Sequence, residues 1–452
     1  MKHTRSAGWT VLPVALVLAC AFTGGVGLAT QGAPGQRDFT KELANKMRGT
    51  FVVAATGGVL MQDSTIPQTS AAIQRILRDA NTTIGHLEFY DADRSPGPVP
   101  SSPRQLAQNL ADLGYDLLGL GDGQGGDTMM RSGLEALTEL KLPVARSDRQ
   151  PVFRTLPIGR VAFINAPSPV RLGTEKYVTA AQLAQLKAIR DSLVARRTEA
   201  DVARPIGVPE DLPDRVTIFA DTFVLGPVAG EIREELNAAD REANLMAVRS
   251  IKEFADFVAL SMPMPPTLKA AHHSAARRPH DAVVALAHDL VDNGMDMYVG
   301  SGNHVVQGVE IYKGRPIFYN LGDLSVHRHA VGTPESRTAV LATSTYQDGV
   351  LQEVKLYPID LGVNPLERPA STLGIPMTPS SEVASRILAD LQRDSTPFGT
   401  KIVVENGVGI IRVPREATVA IGQNIKDFGT FPRGGGAGGG RGGRGGRGGG
   451  GV

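Results

Sequence analysis

From Thr50 onward, short apolar runs alternate with longer stretches in which hydrophobic residues recur every three or four positions. The short runs predict strands, because a buried strand needs only a few consecutive apolar residues, and the longer stretches predict amphipathic helices. The predicted strands cover residues 51–55, 82–88, 115–120, 161–164, 216–220, 257–260 and 297–299. The predicted helices cover residues 70–79, 103–113, 127–140, 180–197, 231–254 and 280–293. This alternation predicts a layered α/β fold with functional loops at the strand ends.

The pattern changes after the last of these strands. Residues 305–326 and 339–356 have the character of antiparallel strands, and residues 380–393 predict a helix. Residues 401–413 predict a hairpin around Asn406-Gly407, because this dipeptide is favoured in two-residue turns. The C-terminal part of the fold is therefore predicted to be mostly antiparallel.

The two ends of the chain differ from the predicted domain, which covers residues 49–378 with an extension of the same domain at residues 379–430. Residues 1–30 join a short basic start to a long apolar run, which predicts either a cleaved export signal or a retained membrane anchor. Residues 31–48 are polar and predict a linker. Residues 431–452 are almost entirely Gly and Arg, a composition that cannot bury a core and predicts a disordered tail.

Composition and charge narrow the function classes. Hydrophobic residues make up 42% of the 452 residues and charged residues 21%, so most of the chain can fold around a core. The net charge of +1 argues against bulk attraction to nucleic acid. Cys20 is the single cysteine, so a metal site would have to use His, Asp, Glu or Asn. The apolar start predicts that the folded part lies outside the cytoplasm, in the periplasm, the cell envelope or the medium.

The stretch from Met297 to Leu324 carries the most chemical information. His304 lies in a glycine-rich turn after an apolar strand, and the stretch closes with Asn320-Leu321-Gly322-Asp323. Strand ends are where α/β enzymes commonly place ligand-binding groups. Glycines in such turns are typical of backbone with unusual φ, and they also allow N–H groups to approach an anion.

This stretch resembles the last signature of the CapA family, which is associated with synthesis of the poly-gamma-glutamate capsule. Residues 307–319 match the family pattern almost letter for letter, and residues 287–296 before them also fit. The resemblance extends over roughly residues 50–360. It implies a metallophosphatase-like fold, an α-β-β-α sandwich with mixed sheets, and a divalent metal such as Mn, Zn, Fe or Mg. It also implies synthesis, export or anchoring of an anionic cell-surface polymer as the function.

The family motifs that hold metal ligands are altered in the first half of this chain. The Gly-Asp after strand one is replaced by Gly57-Gly58. The usual Asn-Leu-Glu becomes His86-Leu87-Glu88, which keeps the glutamate and introduces a potential ligand. The usual Ala-Asn-Asn-His becomes Gly121-Asp122-Gly123-Gln124, with Asp127 three residues on.

The later motifs are altered as well. The strand that ends at Leu260-Ser261-Met262 lacks the usual histidine. The motif that normally carries two histidines becomes Gly300-Ser301-Gly302-Asn303-His304 and keeps only the last. The closing Ser-Leu-Gly-Asn-Phe becomes Asn320-Leu321-Gly322-Asp323-Leu324, followed by His327 and His329.

The surviving and replacement residues define the predicted site. Its predicted catalytic residues are His86 and His304. Its predicted metal ligands are Glu88, Asp122, Asp127 and His304, with Asp323, His327 and His329 as further candidates. Its predicted substrate-binding residues are Gly300, Gly302, Asn303 and Asn320.

Two functions stay open at this point. In the first, the site is rebuilt and the protein is a metal-dependent hydrolase or transferase, because several substitutions introduce new His or Asp side chains. In the second, the site has lost its activity and the domain binds a polymer or partner without turnover, because at least four expected ligand positions are substituted.

Overall fold

The computed structural model describes residues 38–60, 69–88, 102–121, 127–196, 213–219, 221–226, 229–230, 232–264, 277–325, 334–363, 369 and 372–421. Its helices are α1 (Phe39–Glu42), α2 (Ala71–Asp79), α3 (Pro103–Leu113), α4 (Asp127–Glu139), α5 (Ala180–Ala195), α6 (Ala238–Lys252), α7 (Asp281–Asp292) and α8 (Ser381–Ser395). In this part of the chain, no helix combines the length and apolar character needed to cross a lipid bilayer. The predicted export segment and the Gly/Arg tail lie outside the described residues.

Two large mixed sheets form the centre of the fold. The first contains, in spatial order, β18 (Val403–Glu405), β19 (Val408–Arg412), β17 (Val350–Asp360), β16 (Thr338–Gln347), β1 (Thr50–Leu60), β2 (Thr82–Glu88), β3 (Leu117–Leu120) and β4 (Val144–Ala145), with β15 (Asp323–Ser325) paired to β1. The second contains β13 (Val309–Tyr312), β14 (Arg315–Phe318), β12 (Met297–Ser301), β11 (Phe257–Pro263), β6 (Gly159–Asn165) and β5 (Val152–Leu156). Both sheets mix parallel and antiparallel pairs.

The two sheets pack face to face, and helices cover their outer faces. Phe51, Phe257 and Tyr346 lie in the core between the sheets, with ring centroids 5.2–6.0 Å apart. A second core joins α2, α3 and α4 to the first sheet. A third joins α6 and α7 to the second sheet. This order of layers is the predicted α-β-β-α sandwich.

Local signals explain why many element bounds were predictable. α3 begins at Pro103, where the missing N–H is not needed, and the Ser102 hydroxyl accepts a hydrogen bond from the Gln105 amide. It ends at Gly114, whose φ of +99° is a left-handed conformation suited to glycine. The predicted bounds of α3 and β2 coincide with the observed ones.

A third, four-stranded sheet was predicted only at one strand, residues 216–220, which corresponds to β8. It contains, in spatial order, β10 (Ile232–Leu236), β7 (Val170–Val178), β9 (Asp221–Leu225) and β8 (Arg215–Ile218). The predicted helix over residues 231–254 is wrong at its start, because residues 232–236 form a strand and α6 begins only at Ala238. These strands are rich in charged residues, and ion pairs between strands stabilise them. Glu175 forms ion pairs with both Arg215, at 3.0 Å, and Arg233, at 2.6 Å.

A buried ion pair lies at the amino ends of β11 and β12. Lys252, the last residue of α6, binds Asp296, and both side chains are 1% exposed. Asp296 also accepts the Val258 amide at 2.9 Å, and Lys252 donates to the Asp256 carbonyl at 3.2 Å. Burial lowers the pKa of Lys252, and the charge of Asp296 opposes that shift. This pair ties a helix to two strands of the second sheet.

Candidate functional site

The register of the first sheet aligns several predicted site residues. Gly58 of β1 is paired with Asp323 of β15 on one side and with His86 of β2 on the other. His86 is paired in turn with Gly119 of β3. Registered neighbours point to the same face of a sheet, and strands lie about 4.8 Å apart. Asp323 and His86 therefore share one row, with their Cα atoms roughly 10 Å apart.

Asp323, in this row, makes a well-defined polar contact with His304, which lies in the turn after β12. The His304 Nδ1 and Asp323 Oδ2 atoms are 2.8 Å apart. The Asp323 side chain is 9% exposed, whereas that of His304 is 44% exposed. A carboxylate at this position holds the proton on Nδ1 and leaves Nε2 with the lone pair. Nε2 is therefore the His304 atom suited to accept a proton or to bind a metal ion.

The backbone of His304 is itself unusual. Its φ is +60°, a left-handed conformation that few residues other than glycine adopt. Such backbone strain is found preferentially at functional sites, where the surrounding structure maintains it. Gly302, two residues before His304, also has a positive φ, +86°. The turn thus presents the imidazole toward Asp323 at a cost in local backbone energy.

His86 has a different environment. It is 1% exposed, and its Nδ1 lies 3.1 Å from the Ser261 hydroxyl on the second sheet. A Cβ atom at Gly119 would lie 3.3 Å from the same nitrogen, so glycine leaves room for the ring. His86 therefore lies between the two sheets. This burial favours a positioning role, and direct catalysis by His86 stays a prediction.

Sequence patterns alone did not identify Asn165 and Ser261. The Asn165 carboxamide donates to the Leu120 carbonyl at 2.5 Å and to the Ser147 hydroxyl at 3.2 Å. Among the described residues, its buried Oδ1 has no hydrogen-bond partner. Asn165 and Ser261 are register partners at the carboxyl ends of β6 and β11. A polar residue that ends an apolar strand was the available signal.

The predicted glycines and Asn320 serve the architecture of this edge. A Cβ atom on Gly300 would lie 2.0 Å from the Tyr319 carbonyl oxygen, and one on Gly57 would lie 1.7 Å from that of Gly322. Close backbone approach therefore requires both glycines, and the unusual φ expected for the turn glycines is not found at Gly300. The Asn320 side chain accepts the Gly322 amide at 2.8 Å, which stabilises the turn before Asp323. Substrate binding by Gly300, Gly302, Asn303 and Asn320 stays a prediction.

Replacing Gly57 with Ala should destabilise the protein strongly. The new methyl group would collide with a backbone carbonyl that cannot rotate away, so β15 would separate from β1 and displace Asp323. We expect a loss of about 3 kcal/mol in unfolding free energy, measured by urea denaturation. Gly407→Ala is the matched control, because nothing lies within 4 Å there and only its φ of +77° is unfavourable, at about 1 kcal/mol. Equal midpoints for the two variants would contradict the steric argument.

The remaining predicted ligands are only partly described. Glu88 is the last residue of β2, paired in register with Leu60, and Asp127 is the first residue of α4. The side chains of both residues, together with Asp122, His327 and His329, lie outside the described part of the structure. Within the described part, no three His, Cys, Asp or Glu side chains form a group that could hold a metal ion. Because the side chains of most of the predicted ligands lie outside the described residues, the metal assignment stays a prediction.

Comparison with known protein families identifies the family of this chain. The model of the bacterial capsule synthesis protein PGA_cap matches residues 52–327. The chain belongs to this family. The matched region begins in β1 and ends just beyond β15, so it contains the row formed by Asp323, Gly58 and His86. The match confirms the capsule-synthesis resemblance inferred from residues 287–319.

Individual relatives of this capsule synthesis family member are distant. An uncharacterized protein of Sinorhizobium fredii, y4sH, is 26% identical over 84% of this chain and 96% of its own length. A probable polyglutamine synthesis accessory protein of Mycobacterium tuberculosis is 33% identical over 20% of this chain and 25% of its own length.

Solved structures superpose only loosely on this chain. The NAD nucleotidase of Haemophilus influenzae has a TM-score of 0.32 at 8% identity and covers 78% of this chain and 62% of its own. A dimetal phosphatase from Danio rerio has a TM-score of 0.28 at 8% identity and covers 69% of this chain and 96% of its own.

Proposed function

We propose that this capsule synthesis family member is an exported protein that acts on an anionic cell-surface polymer at the strand-end site around His304. It hydrolyses linkages of the polymer or transfers them to another acceptor group. The observation that carries the proposal is the contact between His304 Nδ1 and Asp323 Oδ2 at 2.8 Å. It joins a half-exposed imidazole to a nearly buried carboxylate at the start of β15.

The chemistry follows from this pair. Asp323 fixes the imidazole so that Nε2 faces a bound substrate, and Nε2 takes a proton from the attacking water or hydroxyl group. The imidazolium that forms is stabilised by the Asp323 carboxylate. Nε2 then returns the proton to the leaving amine or alkoxide. General acid–base catalysis of this kind contributes typically about 10²- to 10⁴-fold to the rate.

A divalent metal is a further proposal for the same site. Mn, Zn, Fe or Mg would be held by His304 together with Glu88, Asp122 and Asp127. Histidines that bind metals commonly donate their second nitrogen to a carboxylate, as His304 does to Asp323. A bound metal would polarise the substrate oxygen and lower the pKa of its water.

Metal analysis of the full chain tests the ligand assignment. We expect protein purified without chelator to retain divalent metal and His304→Ala to lose most of it. His288→Ala is the matched control, because His288 lies on α7 and contacts Glu310 at 2.8 Å. Elemental analysis measures occupancy, and cleavage of γ-linked glutamate oligomers and p-nitrophenyl phosphate measures activity. Wild-type protein that contains no divalent metal but still cleaves these substrates would contradict the metal proposal.

The second candidate function is polymer binding without turnover. It is favoured by the burial of His86 and by the substitution of at least four ligand positions of the family motifs. Wild-type protein that binds the polymer, cleaves neither substrate and carries no metal would establish this function instead.

A further inference from the structure

A groove outside the His304 site runs along the open edge of the first sheet. It encloses about 390 Å³ and is lined by the end of α4 and by β4. Leu134 and Val144 supply apolar walls, and Lys141 and Arg146 stand at the two ends of the strand. This volume is within the range of binding clefts for small ligands or for a short segment of a polymer.

The charge of this groove has one sign. Lys141 and Arg146 are both exposed, and no lining residue carries a carboxylate. Within the described residues neither cation forms an ion pair. The nearby Glu139 on α4 is paired instead with Arg104 on α3, at 3.7 Å. The two cations are therefore available to an anionic ligand.

The strand in the groove also presents backbone groups. β4 is the last strand of its sheet within the described structure, so its outer edge has no strand partner there. The Leu118 amide donates to the Pro143 carbonyl at 3.0 Å. Leu118 is the parallel register partner of Val144, and in this pattern the N–H and C=O of Val144 point away from β3 toward the open edge. An open edge of this kind can pair with an extended chain that carries amides.

The groove leads to the edge that holds the candidate site. Arg146 follows directly after β4, and the hydroxyl of the next residue, Ser147, accepts a hydrogen bond from Asn165 at 3.2 Å. Asn165 is the register partner of Ser261, which contacts His86. The basic end of the groove and the His86 row are thus joined by adjacent side chains.

We propose that this groove binds an extended polyanion with carboxylate side groups on an amide backbone and guides it toward the His304 site. The proposal rests on the proposed function and adds the place and chemistry of polymer recognition. Lys141 and Arg146 bind carboxylates at two points, and Val144 pairs with the amide backbone. Each exposed contact is weak, but repeated contacts along one polymer add to a useful affinity.

Binding of a fluorescent γ-linked glutamate oligomer to the full chain tests this assignment. We expect Lys141→Glu/Arg146→Glu to raise the Kd about tenfold, because two attractive contacts become repulsive, and the wild-type Kd to rise with salt. Arg386→Glu/Lys401→Glu is the matched control. Both of these residues are exposed, neither forms an ion pair within the described structure, and the total charge change is the same.

The outcomes separate the groove from the catalytic proposal. A tenfold loss in the groove variant, with the control within twofold of wild type and His304→Ala binding normally, supports the groove. Equal Kd values for both double variants overturn the groove and leave the proposed function standing. Tighter binding of a polyphosphate of equal charge overturns the carboxylate assignment. A wild type that binds no glutamate oligomer overturns the groove and the polymer function together.

Discussion

Asp323→Asn should reduce the turnover of the proposed polymer cleavage by about 10²- to 10⁴-fold. The carboxamide can offer an N–H to His304 Nδ1 where the carboxylate offered only acceptors. The imidazole would then carry its proton on Nε2 and could no longer accept one from the attacking group. The KM should change little, because Asp323 is nearly buried and contacts the histidine instead of solvent.

A direct readout of the imidazole distinguishes this role from a structural one. Nitrogen NMR of labelled His304 should show the proton on Nδ1 in the wild type and on Nε2 in Asp323→Asn. Asp348→Asn is the control, because Asp348 lies on an exposed turn and binds the Gly49 amide. Asp323→Asn protein that is folded, cleaves the polymer within threefold of wild type and keeps the wild-type tautomer would refute the proposed pair.

Lys252→Met should lower the unfolding free energy by about 3–5 kcal/mol, because it leaves the Asp296 carboxylate buried without its cation. Both side chains are 1% exposed, so water cannot replace the lost contact. Burial is the largest cause of the lowered pKa of Lys252, and the charge of Asp296 opposes that shift. Chemical denaturation followed by circular dichroism measures the change.

The double variant Lys252→Met/Asp296→Asn separates the charge from the packing. Asparagine keeps an acceptor for the Val258 amide and removes the uncompensated charge, so we expect it to recover about half of the lost stability. Lys401→Met, on an exposed residue, should change stability by less than about 0.5 kcal/mol. If Lys252→Met is as stable as Lys401→Met, the Lys252–Asp296 pair does not stabilise the folded state.

Elements with strong local signals were predictable. β2 begins with the β-branched residues Thr82, Thr83 and Ile84, which favour strands, and α3 carries a serine cap, an initial proline and a final glycine. Both were placed correctly because their bounds depend on neighbouring residues. The strand ends that hold His86 and His304 were predictable for the same reason, together with the family signature.

Contacts between distant segments were not predictable from the pattern. Asp323 enters the row beside Gly58 only because β15 pairs with β1 in parallel, across most of the domain. Ser261 meets His86 only because two separate sheets pack face to face. Apart from β8, the third sheet escaped prediction because charged cross-strand pairs such as Glu175 with Arg233 stabilise it, and these pairs interrupt the apolar alternation used to recognise strands.

The pairing of β1 with β16 has a consequence for how the chain folds. The hydroxyl of Thr50 bonds to the side chain of Gln347, 297 residues later, so the central ladder cannot close until most of the polypeptide has emerged. Topologies dominated by such distant contacts fold slowly. For a chain proposed to cross a membrane in an extended state, slow closure is an advantage, because it gives the translocation machinery time to act before the sandwich becomes too rigid to thread.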